Sequence, residues 1–200
     1  MKIQQDRLID SLKNDIEIML NCIQFFRTEK DALLIQPIPG QWSVSQIIEH
    51  LNTYGRYYIP AIDRAMASSS LQREAWFNSG ALGNYFTNMM RPKNVFEVKN
   101  KMKTQKSHAP DNNLQPDKVL NEFEEQQQKL LQLLEVARNK NLNKIRIPIS
   151  ISKLVRLRLG DTFRFLIAHE QRHFIQARNA IKTIGLSTDK FPAVLQVAQQ

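Results

Sequence analysis

The sequence predicts an all-α protein built as a four-helix bundle, on three observations. Four stretches carry apolar residues at three- and four-residue steps, the period of a helix with one buried face. Helix-breaking residues fall between these stretches, as in Pro37-Ile38-Pro39-Gly40. Two of the three connections are of moderate length, whereas the one between the second and third helices covers 67–115 and is long enough for a crossover.

The first helix is expected over about 3–29, with Leu8, Leu12, Ile16, Met19, Leu20, Ile23 and Phe26 on its stripe. The second opens on a capping box. Ser43 is placed as N-cap, Gln46 stands three residues on, and Trp42 and Ile47 are spaced as a hydrophobic staple. Its stripe is Ile47, Leu51, Tyr54, Tyr58 and Ile62. Pro60 removes the bond to the Arg56 carbonyl and is expected to kink or end this helix, and Ser68-Ser69-Ser70 marks its limit.

The 67–115 connection holds Trp76, Phe77, Gly80, Gly83, Tyr85, Phe86, Met89 and Met90. Its aromatic content argues against disorder. Two readings stay open, a lid or pocket wall and simple packing over the bundle end. The third helix covers about 116–138, with Pro116 at its first position and Leu120, Phe123, Leu130, Leu134 and Ala137 inward. Residues 145–152 alternate with period two around Pro148, as an extended connection or one short edge strand. The fourth helix covers about 159–184. Asp161 sits in its first turn, where a negative charge suits the helix dipole, and Gly185 is its stop. An amphipathic segment with Phe191, Val194, Leu195 and Val197 closes the chain, and it either covers a partner or packs back on its own bundle.

Two hundred residues with 42% apolar and 24% charged content suit one domain, 1–200, with a sizeable core. No apolar run approaches the roughly 18–20 residues of a membrane span, and the first twenty residues lack the uninterrupted apolar stretch of a secretion signal. The single cysteine, Cys22, forms no internal disulfide and sits among Leu20, Ile23 and Phe26, so the expected setting is a reducing cytoplasm and the expected role a core side chain. The net charge of +9 admits nucleic acid, anionic membrane or acidic small molecules as partners. The basic residues fall in separate clusters at 99–106, 138–146 and 153–158, with no continuous stripe interleaved with aromatics, which argues against nucleic acid.

The four histidines carry the chemistry. His169 and His173 are four residues apart in the fourth helix, so their side chains share one face about 5–6 Å apart. They fall on the stripe Phe163, Leu166, Phe174, Ala177 and Ile181, while His50 lies beside Ile47 and Tyr54 on the second helix. A pair at this spacing arises by chance. A third imidazole on another inward face asks for a shared explanation, because unpartnered buried polar groups are costly. A divalent metal supplies one, accepting a lone pair from each of His50, His169 and His173 and leaving a position open. Gln176, one turn past His173, is placed as an outer partner. Glu49 and Glu170 adjoin ligands in sequence and so point about 100° away. His108 lies outside the pattern and is expected to be solvated.

Trp42-Ser43-Val44 leading into Ile47-Ile48-Glu49-His50-Leu51, with His169 and His173 followed by Gln176, resembles the DinB-like metalloprotein superfamily across nearly the whole chain. The resemblance implies an up-down-down-up bundle. It also implies a divalent ion, usually zinc or nickel, held by three histidines that map onto His50, His169 and His173, and a homodimer. Relatives of this kind include transferases and isomerases that use bacillithiol, mycothiol or glutathione. Arg158 is a departure, a weak N-cap for the fourth helix.

Three neutral ligands leave a metal its full charge, which lowers the pKa of a bound thiol or water toward neutrality. The expected activity is transfer of a low-molecular-weight thiol to a small electrophile, with metal-assisted hydrolysis second. Arg172 or Arg56 is a candidate to hold a cosubstrate carboxylate, although arginines in such positions are more often surface residues. The alternative to an enzyme is a metal-holding interaction module.

Overall fold

A computed structural model of the chain describes residues 1–92, 94, 97–98 and 103–195. In order the elements are β1 (Lys2–Gln4), α1 (Gln5–Thr28), α2 (Val44–Ala67), β2 (Trp76–Asn78), α3 (Ala81–Met90), α4 (Pro116–Ala137), β3 (Arg146–Ile149), β4 (Ser152–Arg158) and α5 (Leu159–Thr183). The four long helices make the bundle.

Side-chain pairs fix the helix directions. Asn52 donates to the Val119 carbonyl at 3.0 Å, Arg56 pairs with Glu122 and Lys129 with Asp63, so α2 and α4 run the same way. Gln5 donates to the Ala137 and Arg138 carbonyls while Arg27 pairs with Glu124, so α1 runs opposite to α4. Tyr58 meets Phe165 and His50 meets His173, so α5 runs opposite to α2. Consecutive long helices that run parallel need a connection that travels the length of the bundle, which is why residues 68–115 are long.

The capping box is present in full: the Gln46 N–H donates to Ser43 Oγ and the Ser43 N–H to Gln46 Oε1. Of the two outcomes expected of Pro60, ending α2 does not occur, and the helix stops at the serine run, with Ser68 as its C-cap. The helix runs on to Ala67 because Tyr58, Ile62 and Met66 are buried on both sides of the proline, and their packing offsets one missing backbone bond. Gly185 takes a left-handed φ of 88° after α5.

The long connection is more ordered than a loop. β2 pairs antiparallel with β1, and α3 packs on the first half of α5. Asp161 joins them: it accepts from Ser79 Oγ at 2.6 Å and the Gly80 N–H at 2.8 Å, and Arg164 donates to it at 3.2 Å. The carboxylate expected to serve its own helix thus caps the approach to α3. Residues 145–152 do not form a lone strand. β3 pairs with β4, which lay unseen in the basic run 153–158. The closing segment folds back. Phe191 and Val194 are buried, and the Phe191 ring lies 5.2 Å from Phe25 and 5.5 Å from Phe26. Val197 and residues 99–102 lie outside the described residues.

The core is continuous across the bundle, with the Phe174 ring meeting both Phe26 and Phe123. Cys22 is fully buried in it, and burial pushes its thiol up to about 12, as suits a core side chain. From Leu159 to Ile175 every residue of α5 is buried, because α1, α2, α3 and the β3–β4 hairpin surround it. No helix among the described residues is long and apolar enough to cross a membrane.

Candidate metal centre

The inward stripes of α2 and α5 bring His50, His169 and His173 together. One ligand atom from each lies within 4.8 Å of the others. His169 Nε2 is 3.4 Å from His50 Nε2 and 3.1 Å from His173 Nε2. A tetrahedral ion with bonds of about 2.0–2.1 Å would hold its nitrogens roughly 3.3–3.4 Å apart. All three rings are buried.

Their outer nitrogens determine what the inner ones offer. The His50 Nδ1–H donates to the His108 carbonyl at 2.7 Å, and a carbonyl can only accept, so His50 Nε2 presents a lone pair. The His173 Nδ1–H donates to Gln176 Oε1 at 2.9 Å, so its Nε2 does the same. His169 Nδ1 has no hydrogen-bond partner among the described residues. A proton on His169 Nε2 could bridge to one neighbour and would leave the other lone pair facing it. A divalent cation satisfies all three, and the donor set fits one.

Burial keeps the rings neutral. It holds the His50 pKa down to about 4 against the raising effect of the His108 carbonyl, and it pushes His169 and His173 well below the ordinary imidazole value, with neighbouring imidazoles and Arg172 adding to it. Neutral imidazole is the form that ligates.

His108 is a correction. It is 5% exposed rather than solvated, because its ring stacks on Tyr54 at 4.1 Å and its Nδ1 meets Thr53 Oγ1 at 2.9 Å. Its backbone orients His50, a role no side-chain pattern reveals. Arg56 is set aside as a cosubstrate anchor: it lies on the surface, held by Glu49 and Glu122. Arg172 lines the site's cavity. Glu170 is buried behind the site, accepts from Gln127 Nε2 at 3.1 Å, and burial raises its carboxyl to about 8. Gln176 stands where the spacing put it.

A cavity of about 680 Å³ opens from the histidines. Trp42, beyond its place beside the cap, has its ring 5.1 Å from His50 and 6.5 Å from His173. Tyr54 packs 4.4 Å from His169, and Phe165 stacks on the same imidazole at 6.0 Å with the planes 8° apart. Phe86, Met89 and Met90 of α3 line the cavity, so the long connection is a pocket wall.

Fold and site together define a helical-bundle protein with a three-histidine centre suited to a divalent ion. The sequence model of the DinB superfamily matches residues 24–177, and the chain belongs to that superfamily. Among solved structures it is similar to YfiT from Bacillus subtilis, described as a probable metal-dependent hydrolase with an unusual four-helix bundle topology. The two share 12% identity and a TM-score of 0.50 over 92% of this chain and 89% of that one, a likeness of fold. No curated protein matches the chain significantly.

Proposed function

We propose that this protein is a metal-dependent enzyme in which His50, His169 and His173 ligate one divalent ion, zinc or nickel, and a low-molecular-weight thiol is transferred to a small electrophile. Held by neutral imidazoles with a position open, such an ion lowers the pKa of a thiol or water toward neutrality. The observation that carries the reading is the convergence of three Nε2 atoms with two of their lone pairs fixed inward.

The rest of the site bears on how the nucleophile is activated. All 19 acidic residues are among those described, and none lines the cavity. A nucleophile ionised by the metal, whether thiol or water, needs no carboxylate base, so the lining suits direct attack by the ligated group. In the transfer a carbon–sulfur bond forms, a carbon–halogen bond or an epoxide carbon–oxygen bond breaks, and the thiol proton passes to solvent or to the released alkoxide. Trp42 and Tyr54 pack against the histidines, and Arg172 brings a cation to the cavity beside them. Hydrolysis is the second reading, supported by the description of YfiT.

The test is turnover of zinc- or nickel-loaded protein with bacillithiol, mycothiol or glutathione against an epoxide and an alkyl halide. Conjugate formation that falls at least a hundredfold in His169→Ala is expected. Product formed equally without thiol would assign hydrolysis, and metal-loaded protein inert in every pairing would leave a binding module.

We also propose a cytoplasmic homodimer, on the family resemblance and on the lone buried cysteine. The closing segment gives the dimer no support, since Phe191 and Val194 are spent on their own bundle. A 23.3 kDa particle in sedimentation at micromolar concentration would exclude a stable dimer.

A further inference from the structure

The cavity is zoned along α5. Phe165, His169, His173, Gln176 and Thr183 line it at steps that keep them on one helix face. Before the histidines α5 gives the wall Phe165, and beyond them Gln176, Asn179, Ala180 and Thr183, three of the four polar. The apolar part is closed by Tyr58 from α2, Met89 and Met90 from α3, and Leu157 from the β3–β4 hairpin. Aromatic contacts make it continuous with the metal centre, since Phe86 meets Phe165 at 6.2 Å and Phe165 stacks on His169. Asp161 bolts α3 in place, so the chamber is preformed. The cavity as a whole, apolar and polar parts together, lies within the roughly 300–1,000 Å³ that accommodates a drug-sized ligand. The charged residues lining the cavity among those described are Lys103 and Arg172, both cations.

We propose that the substrate is an anionic amphiphile, with an alkyl or aryl body in the chamber between α3 and the hairpin and a negatively charged head beside the histidines and Arg172. The apolar wall starts at the His169 ring, so the reacting atom sits where the apolar body meets the polar end. A small polar electrophile would leave this chamber filled with poorly satisfied water. The inference rests on the proposed function for the nature of the site, but the binding it predicts does not require the reaction.

The experiment is calorimetric titration of the full chain, zinc-loaded and chelator-treated, with sodium n-alkanoates from butanoate to decanoate and with n-alkylammonium ions of the same lengths. Affinity for the alkanoates should rise about three- to fourfold per added methylene until the chamber is full. Alkylammonium ions should bind at least tenfold more weakly. Met89→Arg, which places a cation in the apolar wall, should abolish the dependence on length. Phe86→Ala, which only enlarges the chamber, should keep it. Affinity that is flat with chain length, or equal for both head groups, overturns the proposal. Zinc bound stoichiometrically with no effect of length would sink the amphiphile and spare the metal site. A length effect in a protein that takes up no zinc would do the reverse.

Discussion

At the scale of single residues, the groups that matter most act by fixing protons and lone pairs. Gln176 holds the His173 Nδ1–H, and the His108 carbonyl holds that of His50. Gln176→Leu should therefore weaken metal affinity about 10–100-fold while leaving the fold intact, as loss of an outer hydrogen bond does at metal sites. Competition against a chelator of known affinity measures this, and an unchanged affinity would show that Gln176 does not orient the ring. A second prediction concerns Asp15 on α1. Burial raises its carboxyl to about 6 against the opposing charge of Arg91 and a hydrogen bond from Gln171. The unfolded chain releases this proton near its ordinary value of 3.8, so the folded state binds the extra proton between about pH 4 and 6. Stability should fall as pH rises through that window and level off above it. Asp15→Asn should remove this decline and be more stable than wild type at pH 7, by at most about 3 kcal/mol and less after solvent screening. Urea denaturation of both proteins at pH 4 and 7 checks it, and a wild-type decline that persists in the variant would assign it elsewhere.

At the scale of elements, α3 and the hairpin turn an ordinary bundle into one with a walled cavity. A Cβ on Gly83 would lie 2.2–2.4 Å from atoms of the Asp161 side chain, so α3 approaches α5 as closely as it does only because that residue is glycine. Gly83→Ala should cost about 1–3 kcal/mol by forcing the two apart. Asp161→Ala should cost more, about 3–5 kcal/mol, because it leaves Arg164 buried beside an empty place. Equilibrium unfolding gives both values, and an Asp161→Ala protein as stable as wild type would mean that this lock does not hold α3. These elements were also the least legible in the sequence. The four long helices show a clean 3.6-residue apolar period, and the Ser43–Gln46 box dates the start of α2 to the residue. α3 carries Leu82, Tyr85, Phe86, Met89 and Met90 at helical spacing, yet its N-cap is Gly80 with no capping side chain, and its anchor is an aspartate 81 residues away in the chain. β4 is hidden for a similar reason. Its charged residues stay exposed or half-buried, Leu154 is 95% exposed, and only pairing with β3 defines it as a strand.

At the scale of the whole molecule, the helix directions explain both the site and its connection. The antiparallel course of α2 and α5 brings a histidine early in one helix level with two midway along the other, and the parallel course of α2 and α4 demands the long link that supplies the cavity wall. The three histidines were legible because each sits on an apolar stripe where an imidazole is out of place. The orienting carbonyl of His108 was not, because a backbone group carries no sequence signature. The core runs through all four long helices independently of the histidines, so the metal-free protein should stay folded. Chelation should leave the helical circular dichroism intact and lower the melting temperature only by the ligand-linkage amount. Unfolding on chelation would make the ion structural instead.

The most direct measurement is elemental analysis of untagged protein, dialysed against zinc or nickel and freed of excess ion, beside His50→Ala and His169→Ala. One ion per chain in the wild type and almost none in either variant is the predicted result. A wild type that retains no ion, or variants that hold as much as it does, would contradict the account.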